Sequence, residues 1–162
     1  MMSTAYIGVG ANLGDALHTV RAAIAAMEVM PDTRLSARSS LYRSAPVDAS
    51  GDDFINAVVR LDTSLPAQSL LEHLQHIERV FGRERPFRNA PRTLDLDLLI
   101  YDQTTTNTPR LELPHPRMSD RAFVLLPLLE ISPDVQIPGK GAARDYLAEV
   151  NHQEIERLDQ PA

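Results

Sequence analysis

Two extended segments that follow each other without a helix between them constrain the fold of this chain most. The stretches 35–44 and 54–62 both have the residue pattern of strands, and a short connection containing Pro46 and Gly51 separates them. Strands joined by a short connection pair antiparallel, whereas neighbouring parallel strands need a crossover of a dozen or more residues. A largely antiparallel sheet is therefore expected, and a doubly wound parallel sheet, which needs a helix after each strand, is not.

The spacing of apolar residues elsewhere completes the order of elements. Alternation predicts further strands over 5–10 and 95–101, and helical spacing predicts helices over 16–30, 66–81, 121–131 and 142–150. Asp15 can cap the first helix, Pro31 ends it, and Pro127 bends or interrupts the third. The order β–α–β–β–α–β followed by helices predicts an α+β fold with a ferredoxin-like core, its mostly antiparallel sheet carrying helices on both faces. No linker divides residues 1–162, which we interpret as one domain.

Composition excludes several classes of protein. The 162 residues contain no cysteine, so disulfides, thiolate nucleophiles and Cys-based metal sites are excluded. The longest apolar stretch, from Ala122 to Leu129, is too short to cross a membrane, and the N-terminus lacks the basic region of a secretory signal. A net charge of −6 argues against nucleic-acid and membrane partners. We expect a cytoplasmic protein that acts on small molecules.

Asp95 and Asp97 form the most informative pair of residues. Side chains of a strand alternate between its faces, so the two carboxylates share one face and Leu96, Leu98 and Ile100 share the other. Two carboxylates this close repel each other unless a cation lies between them, and Mg²⁺ is commonly held by one or two carboxylates together with phosphates. Taken alone, the pair could equally be an exposed strand face that happens to carry two acids.

Clustered arginines favour the metal interpretation. Fifteen of the sixteen Lys and Arg residues are arginine, and four of them (Arg83, Arg85, Arg88 and Arg92) lie within ten residues just before Asp95; His115, Arg117 and Arg121 follow. Guanidinium groups bind phosphate oxygens through two parallel hydrogen bonds and stay charged. Metal-binding carboxylates among arginines are what a polyphosphate site needs, so the residues indicate phosphoryl-type chemistry.

Two further patterns have a functional and a structural interpretation. Phe54 and Asn56 share a strand face, where an aromatic ring and an amide could stack on a heterocycle and hydrogen-bond its edge, or could be ordinary half-buried residues. Gly8, Gly10 and Gly14 have the wrong spacing for a dinucleotide-binding loop, and we interpret them as a tight turn with close strand packing.

Several segments together resemble a known family. Pro91–Leu99 (PRTLDLDLL), Pro114–Met118 (PHPRM), Arg121–Phe123, Tyr6–Gly14 and Leu41–Ser44 are similar to the 6-hydroxymethyl-7,8-dihydropterin pyrophosphokinases of folate biosynthesis. The resemblance extends from about Ala5 to Ile137, and its PRTLDLD motif is highly specific. It implies a single-activity enzyme that transfers pyrophosphate from Mg-ATP to the hydroxymethyl oxygen of the pterin and releases AMP.

The resemblance also implies roles for individual residues. Asp95 and Asp97 would hold two Mg²⁺ ions, and the catalytic set would include Arg83, Arg92 and, in a mobile loop, Arg88. The residues implied in ATP binding are Glu78, Arg83, Arg92, Arg110, His115 and Arg121. Phe54 and Phe123 would sandwich the pterin, whose edge would be bound by Asn56 and the backbone near Ser44 and Val47. We expect a monomer.

Two other functions are compatible with parts of the pattern. A nucleotidyltransferase could use the same carboxylates but would release pyrophosphate rather than AMP. An RNA-binding module on a ferredoxin-like sheet needs aromatic residues on adjacent strands and a basic face. Aromatic residues make up only 5% of the chain and the face carries Asp95 and Asp97, which disfavours that module.

Overall fold

The computed structural model describes residues 2–12, 15–45, 53–81 and 94–162. In these ranges a six-stranded sheet has the strand order β10-β3-β4-β1-β5, with β2 pairing with the far half of β4, and every pair is antiparallel. The strands are β1 (Ser3–Ala11), β2 (Thr33–Arg38), β3 (Ser40–Ser44), β4 (Phe54–Thr63), β5 (Asp95–Tyr101) and β10 (Ile155–Pro161). Two small hairpins consist of β6 (Thr106–Asn107) with β7 (Glu112–Leu113) and β8 (Gln136–Ile137) with β9 (Gly141–Ala142).

The helices follow the apolar periodicity of the sequence. They are α1 (Ala16–Glu28), α2 (Ala67–Phe81), α3 (Ala122–Ile131) and α4 (Leu147–Val150). The Asp15 side chain accepts a hydrogen bond of 3.2 Å from the backbone N–H of His18, as expected of a helix cap. Pro66 precedes α2, and its carbonyl accepts from the N–H of Leu70. No helix in the described ranges is long and apolar enough to cross a membrane.

Helices cover both faces of the sheet, so the predicted α+β architecture is confirmed. On the first face, α1 and α2 pack on alternate residues of β1, β4 and β5. On the second face, α3, α4 and a 3-10 turn over Ala143–Tyr146 pack on the other residues of the same strands. Pro127 lies inside α3, which continues through it, so the predicted interruption does not occur.

Three predictions about the strands and the last helix need correction. The stretch 35–44 is two strands, β2 and β3, separated by Ser39, whose buried hydroxyl accepts from the N–H of Val58 on β4 at 3.0 Å. The last helix is a 3-10 turn followed by the short α4 rather than one helix. The alternation of β5 is also not strict, because its register with β1 shifts between Leu98 and Ile100.

The shift in β5 is a β-bulge with a visible consequence. Leu99 has no partner in the register between β1 and β5, and both Leu99 and Ile100 belong to the apolar cluster under α3. Ile100 therefore lies on the second face and not, as predicted, with Leu96 and Leu98 on the first. An extra residue in one strand reverses the phase of every residue that follows it.

Candidate active site

The candidate site is a cavity of about 690 Å³ on the second face of the sheet. Its floor is made by the ends of β1, β4 and β5, and its wall by the turn before α3 and the first residues of α3. Among the residues that line it are Gly8, Gly10, Ser44, Phe54, Asn56, Asp95, Asp97, Arg117, Arg121, Phe123 and Gln153.

The two aspartates lie side by side on this floor. Asp95 and Asp97 both line the cavity, as the alternation of β5 predicts, and the side chain of Asp97 is 37% exposed. In the antiparallel register Gly8 lies opposite Asp97 and Gly10 opposite Asp95. The missing side chains of these glycines leave the floor beside the carboxylates open to a ligand.

Gly8 and Gly10 are therefore not part of the tight turn that the sequence suggested. Gly8 and Gly10 are ordinary residues of β1, and Gly14 lies outside the described residues. Close packing is real at Gly10, where a Cβ atom would stand 3.2 Å from Oδ1 of Asn56. At Gly8 a Cβ atom would meet only ordinary contacts, the nearest at 3.6 Å.

An aromatic and amide subsite adjoins the carboxylates. Phe54 and Phe123 are half-buried and line the same cavity from β4 and α3. Asn56, on the same face of β4 as Phe54, is buried, and its Nδ2 donates a hydrogen bond of 2.7 Å to Oγ of Ser44 on β3. This bond fixes the orientation of the amide before any ligand arrives.

A histidine ring lies beside the carboxylates. His115 Nε2 is 3.9 Å from Asp97 Oδ1, and the backbone N–H of Arg117 donates to His115 Nδ1 at 3.3 Å. A neutral ring with an accepting Nδ1 carries its proton on Nε2, which faces the carboxylate. Burial lowers the pKa of His115 from its ordinary value, and the nearby Asp97 only partly opposes this effect.

Arg121 lies near both His115 and the aromatic subsite. Its guanidinium carbon is 5.4 Å from the centroid of the Phe123 ring, within range of a cation–π interaction. The bulge in β5 also contributes, because the carbonyl of Leu99 accepts the backbone N–H of His115 at 2.9 Å. The loop that carries His115 is thereby attached to the same strand as the aspartates.

Three of the predicted nucleotide-binding residues that the structure describes do not line the cavity: His115, which lies beside Asp97, Arg110 and Glu78. Arg110 is exposed in the turn between β6 and β7. Glu78 lies on α2, and its carboxylate accepts the backbone N–H of Leu96 at 2.9 Å. Because Leu96 stands between the two aspartates, Glu78 holds the strand that carries them rather than reaching into the cavity.

Four predicted residues cannot be placed in the site. Arg83, Arg88, Arg92 and Val47 lie outside the described residues. Their roles stay predictions.

The sequence alone did not identify two polar residues that line the cavity. Asp120 and Gln153 line it, and Gln153 lies on the connection between α4 and β10, far along the chain from every motif. Arg117 was noted among the neighbouring cations but was given no role. The PHPR segment could have identified Arg117, whereas nothing in the local sequence singles out Gln153.

The carboxylates fit a divalent cation that a second molecule helps to coordinate. Among the described residues, no group of three or more His, Asp or Glu side chains is arranged to hold a metal ion. Two adjacent carboxylates beside an open floor are the donor set of Mg²⁺ when phosphate oxygens and water complete its shell.

Comparison with known proteins agrees with this geometry. The model of the family 7,8-dihydro-6-hydroxymethylpterin-pyrophosphokinase matches residues 6–133. The chain is 42% identical over 159 residues to the 2-amino-4-hydroxy-6-hydroxymethyldihydropteridine pyrophosphokinase of Pseudomonas aeruginosa, covering 98% of each chain. It is 41% identical to the protein of the same name from Methylorubrum extorquens, covering 98% of this chain and all of that one.

Solved structures share the fold. The wild-type HPPK-DHPS of Plasmodium falciparum with pteroate superposes with a TM-score of 0.75 at 11% identity, over all of this chain and 47% of that one. The chain thus spans about half the length of that structure, which supports the fold alone. The family match and the relatives at about 40% identity establish that this chain belongs to the 7,8-dihydro-6-hydroxymethylpterin-pyrophosphokinase family.

Proposed function

We propose that this chain transfers the pyrophosphoryl group of ATP to the hydroxymethyl oxygen of 6-hydroxymethyl-7,8-dihydropterin, in folate biosynthesis. The observation that carries the proposal is the shared floor of one cavity. Asp95 and Asp97 line it together with the aromatic and amide subsite and with Arg117 and Arg121, and His115 lies 3.9 Å from Asp97. A heterocycle and a polyphosphate can therefore meet directly at the carboxylates.

Asp95 and Asp97 would hold two Mg²⁺ ions. When bound, such ions would neutralise the negative charge that develops on the phosphate groups during transfer. Glu78 acts on these ligands indirectly, since its hydrogen bond to the Leu96 N–H keeps both aspartates directed at the cavity.

The triphosphate would lie along the cationic side of the cavity. His115 and Arg121 would contact it, and Arg117, which lines the cavity beside Arg121, would add a second guanidinium group there. Arg83, Arg88, Arg92 and the exposed Arg110 would complete the set when nucleotide is bound. Guanidinium groups suit this task because they remain charged and bind phosphate in two-point contacts.

The pterin ring would stack between Phe54 and Phe123. Asn56 would bind the edge of the ring, held for that purpose by its hydrogen bond to Ser44. The backbone near Ser44 and Val47 would supply further contacts. Aromatic stacking with one fixed amide recognises a flat heterocycle with donors and acceptors on its edge.

The reaction would be an in-line displacement at the β-phosphorus of ATP. The pterin hydroxymethyl oxygen forms a bond to that phosphorus, and the bond from the β-phosphorus to the oxygen bridging it to the α-phosphorus breaks. AMP leaves with the bridging oxygen, and the hydroxyl proton is released to solvent. Catalysis then rests mainly on positioning and electrostatic stabilisation.

The organisation of the protein completes the proposal. Residues 1–162 would act as one pyrophosphokinase domain, as a monomer, in the cytoplasm. The substrates would be the two small molecules, with no nucleic-acid or membrane partner.

Product analysis tests this function. The protein is incubated with Mg-ATP and 6-hydroxymethyl-7,8-dihydropterin, and nucleotide products are separated with and without the pterin. We expect AMP and pterin pyrophosphate in equal amounts, formed only when the pterin is present. Release of inorganic pyrophosphate with a nucleotidylated product would instead indicate a nucleotidyltransferase, and ADP would indicate simple phosphoryl transfer.

A further inference from the structure

Gln153 makes two hydrogen bonds to the backbone of the turn that carries Arg121. Its Nε2 donates to the carbonyl of Asp120 at 2.8 Å, and its Oε1 accepts the N–H of Ala122 at 2.9 Å. These two groups lie immediately before and immediately after Arg121. One side chain therefore holds both ends of the Arg121 residue, 32 positions away in the chain.

The same bonds define the beginning of α3. Arg121 is extended (φ −126°, ψ 116°) and makes no side-chain capping bond of its own. Its carbonyl accepts the N–H groups of Val124 and Leu125. The N–H of Ala122, the first residue of the helix, has no acceptor within the helix and donates to Gln153 instead. The first residues of a helix need such partners, and Gln153 supplies one from outside the helix.

Gln153 is itself held by the body of the fold. Its backbone N–H donates to the carbonyl of Val150 at the end of α4 at 3.0 Å. Two residues later, Ile155 pairs with Ser44 at the start of β10. Gln153 thus lies between the start of β10, which pairs with β3, and the turn that carries Arg121 at the beginning of α3.

We propose that Gln153 is a positioning residue that fixes Arg121 and Phe123 together relative to the floor of the site. The inference rests on the proposed function, in which Arg121 contacts the triphosphate and Phe123 stacks on the pterin. The two side chains lie on the same short segment and contact each other at 5.4 Å. Loss of the clamp should therefore weaken the binding of both substrates, although Gln153 belongs to neither set of predicted ligand contacts.

Gln153→Met tests the proposal, because methionine keeps the length of the side chain and removes both hydrogen bonds. Gln160→Met on β10 is the matched control, since Gln160 is exposed and, within the part of the chain that the structure describes, its side chain accepts a hydrogen bond only from Arg21, at 3.3 Å. The measurements are calorimetric titrations with Mg–α,β-methylene-ATP and, with that analogue saturating, with 6-hydroxymethylpterin. We expect Gln153→Met to raise each dissociation constant by about tenfold, and the control to match the wild type.

A second variant separates positioning from general destabilisation. In Gln153→Glu the carboxylate can accept from Ala122 but faces the carbonyl of Asp120 without a donor, whereas its protonated form restores both bonds. The charged groups around it are Asp120, Arg117 and Arg121 on the turn, His152 and Glu154 beside it, and Asp95 and Asp97 across the cavity. Relative to wild type at each pH, we expect binding by Gln153→Glu to improve as the pH falls from about 7 to 5.

The outcomes are distinct. Weakened binding of both probes by Gln153→Met, with acid rescue in Gln153→Glu, supports the clamp. Wild-type affinity in Gln153→Met would overturn it while leaving the proposed function intact. A fall in thermal stability with no change in either affinity would also overturn it. A wild-type protein that bound neither probe would overturn the proposed function and this inference with it.

Discussion

The two faces of the central strands differ in composition, although alternate residues of the same three strands form them. On the face towards α1 and α2, β1, β4 and β5 present pairs of buried apolar side chains: Ile7 and Val9, Ile55 and Ala57, Leu96 and Leu98. On the face towards α3, the intervening positions present Gly8 and Gly10, Phe54 and Asn56, Asp95 and Asp97.

Residues on the first face therefore contribute to stability, whereas their neighbours on the second face contribute to the proposed chemistry. The first face is closed by two helices and excludes water, so its side chains contribute through burial. The second face is closed by α3 over one half only, and its open half holds the two carboxylates and the amide. Substitution of neighbouring residues in one strand should therefore lower either the activity or the stability of the protein, depending on the face.

The largest effect is expected from Asp97→Ala. Removing one of two carboxylates from the proposed metal site should lower the transfer rate by roughly 10³-fold or more. The melting temperature should hardly change, because the side chain is 37% exposed and lies beside another acid. Single-turnover assays and thermal unfolding measure the two quantities.

Asp62→Ala is the control for Asp97→Ala. Asp62 is a carboxylate of β4 that pairs with Arg34 at 2.9 Å and does not line the cavity. We expect full activity from it. Near-normal turnover by Asp97→Ala at ordinary Mg²⁺ concentrations would contradict the metal role.

Leu98→Ala, one residue further along β5, should lower stability and leave substrate binding unchanged. Leu98 is 4% exposed in the core under α1 and α2, and truncation of such a side chain costs about 2–5 kcal/mol of unfolding free energy. Denaturant unfolding measures the loss. Where the variant remains folded, its dissociation constants for both substrates should stay near those of wild type; a selective loss of nucleotide binding would show that the two faces are not independent.

Gly10→Ala should have a smaller effect, confined to the pterin. The added methyl group would approach Oδ1 of Asn56 to 3.2 Å, so the amide must move from the position that Ser44 fixes. We expect pterin affinity to fall by about tenfold, comparable to one lost hydrogen bond, with little change for Mg-ATP. Gly8→Ala, with its nearest contact at 3.6 Å, is the comparison and should affect pterin binding less.

The smallest effect concerns a polar contact that holds α3 to the sheet. Tyr42 on β3 donates to Glu130 on α3 at 2.7 Å, and burial followed by this hydrogen bond raises the pKa of Tyr42 above its ordinary value. The folded protein thus retains this proton more tightly than the unfolded chain does. The resulting stabilisation is complete below the ordinary phenol pKa and is lost as the pH rises through the raised one.

Glu130→Gln tests that contact. The substitution removes the negative charge, so the pKa of Tyr42 should fall towards its ordinary value. Alkaline titration followed by tyrosinate absorbance measures this, with Tyr146, which bonds to the carbonyl of Lys140, as a reference. An unchanged titration of Tyr42 would mean that burial alone determines its pKa.

Alternation predicted those parts of the fold and site that depend on single strands. It placed Asp95 with Asp97 and Phe54 with Asn56 on shared faces, and the structure brings both pairs to one cavity. The two main helices and their starts at Asp15 and Pro66 also follow from local patterns. These features need only the geometry of one element.

The features that the sequence did not predict depend on partners distant in the chain. The bulge at Leu99 appears only when β5 is aligned with β1, and the division at Ser39 depends on an N–H of β4. The site-facing role of Gly8 and Gly10 likewise follows from their register with β5. Gln153 cannot be identified from its neighbours, because its function lies in backbone groups of another segment.

Because of the bulge at Leu99, the effect of deleting one residue from β5 depends on where in the strand the deletion lies. Loss of one residue at the bulge removes the position that has no partner on β1, so Asp95 and Asp97 would keep their orientation. Loss of Leu96 would instead bring the two aspartates to adjacent positions and direct one of them into the dry core. This strand can thus lose a residue after its carboxylates, but not between them.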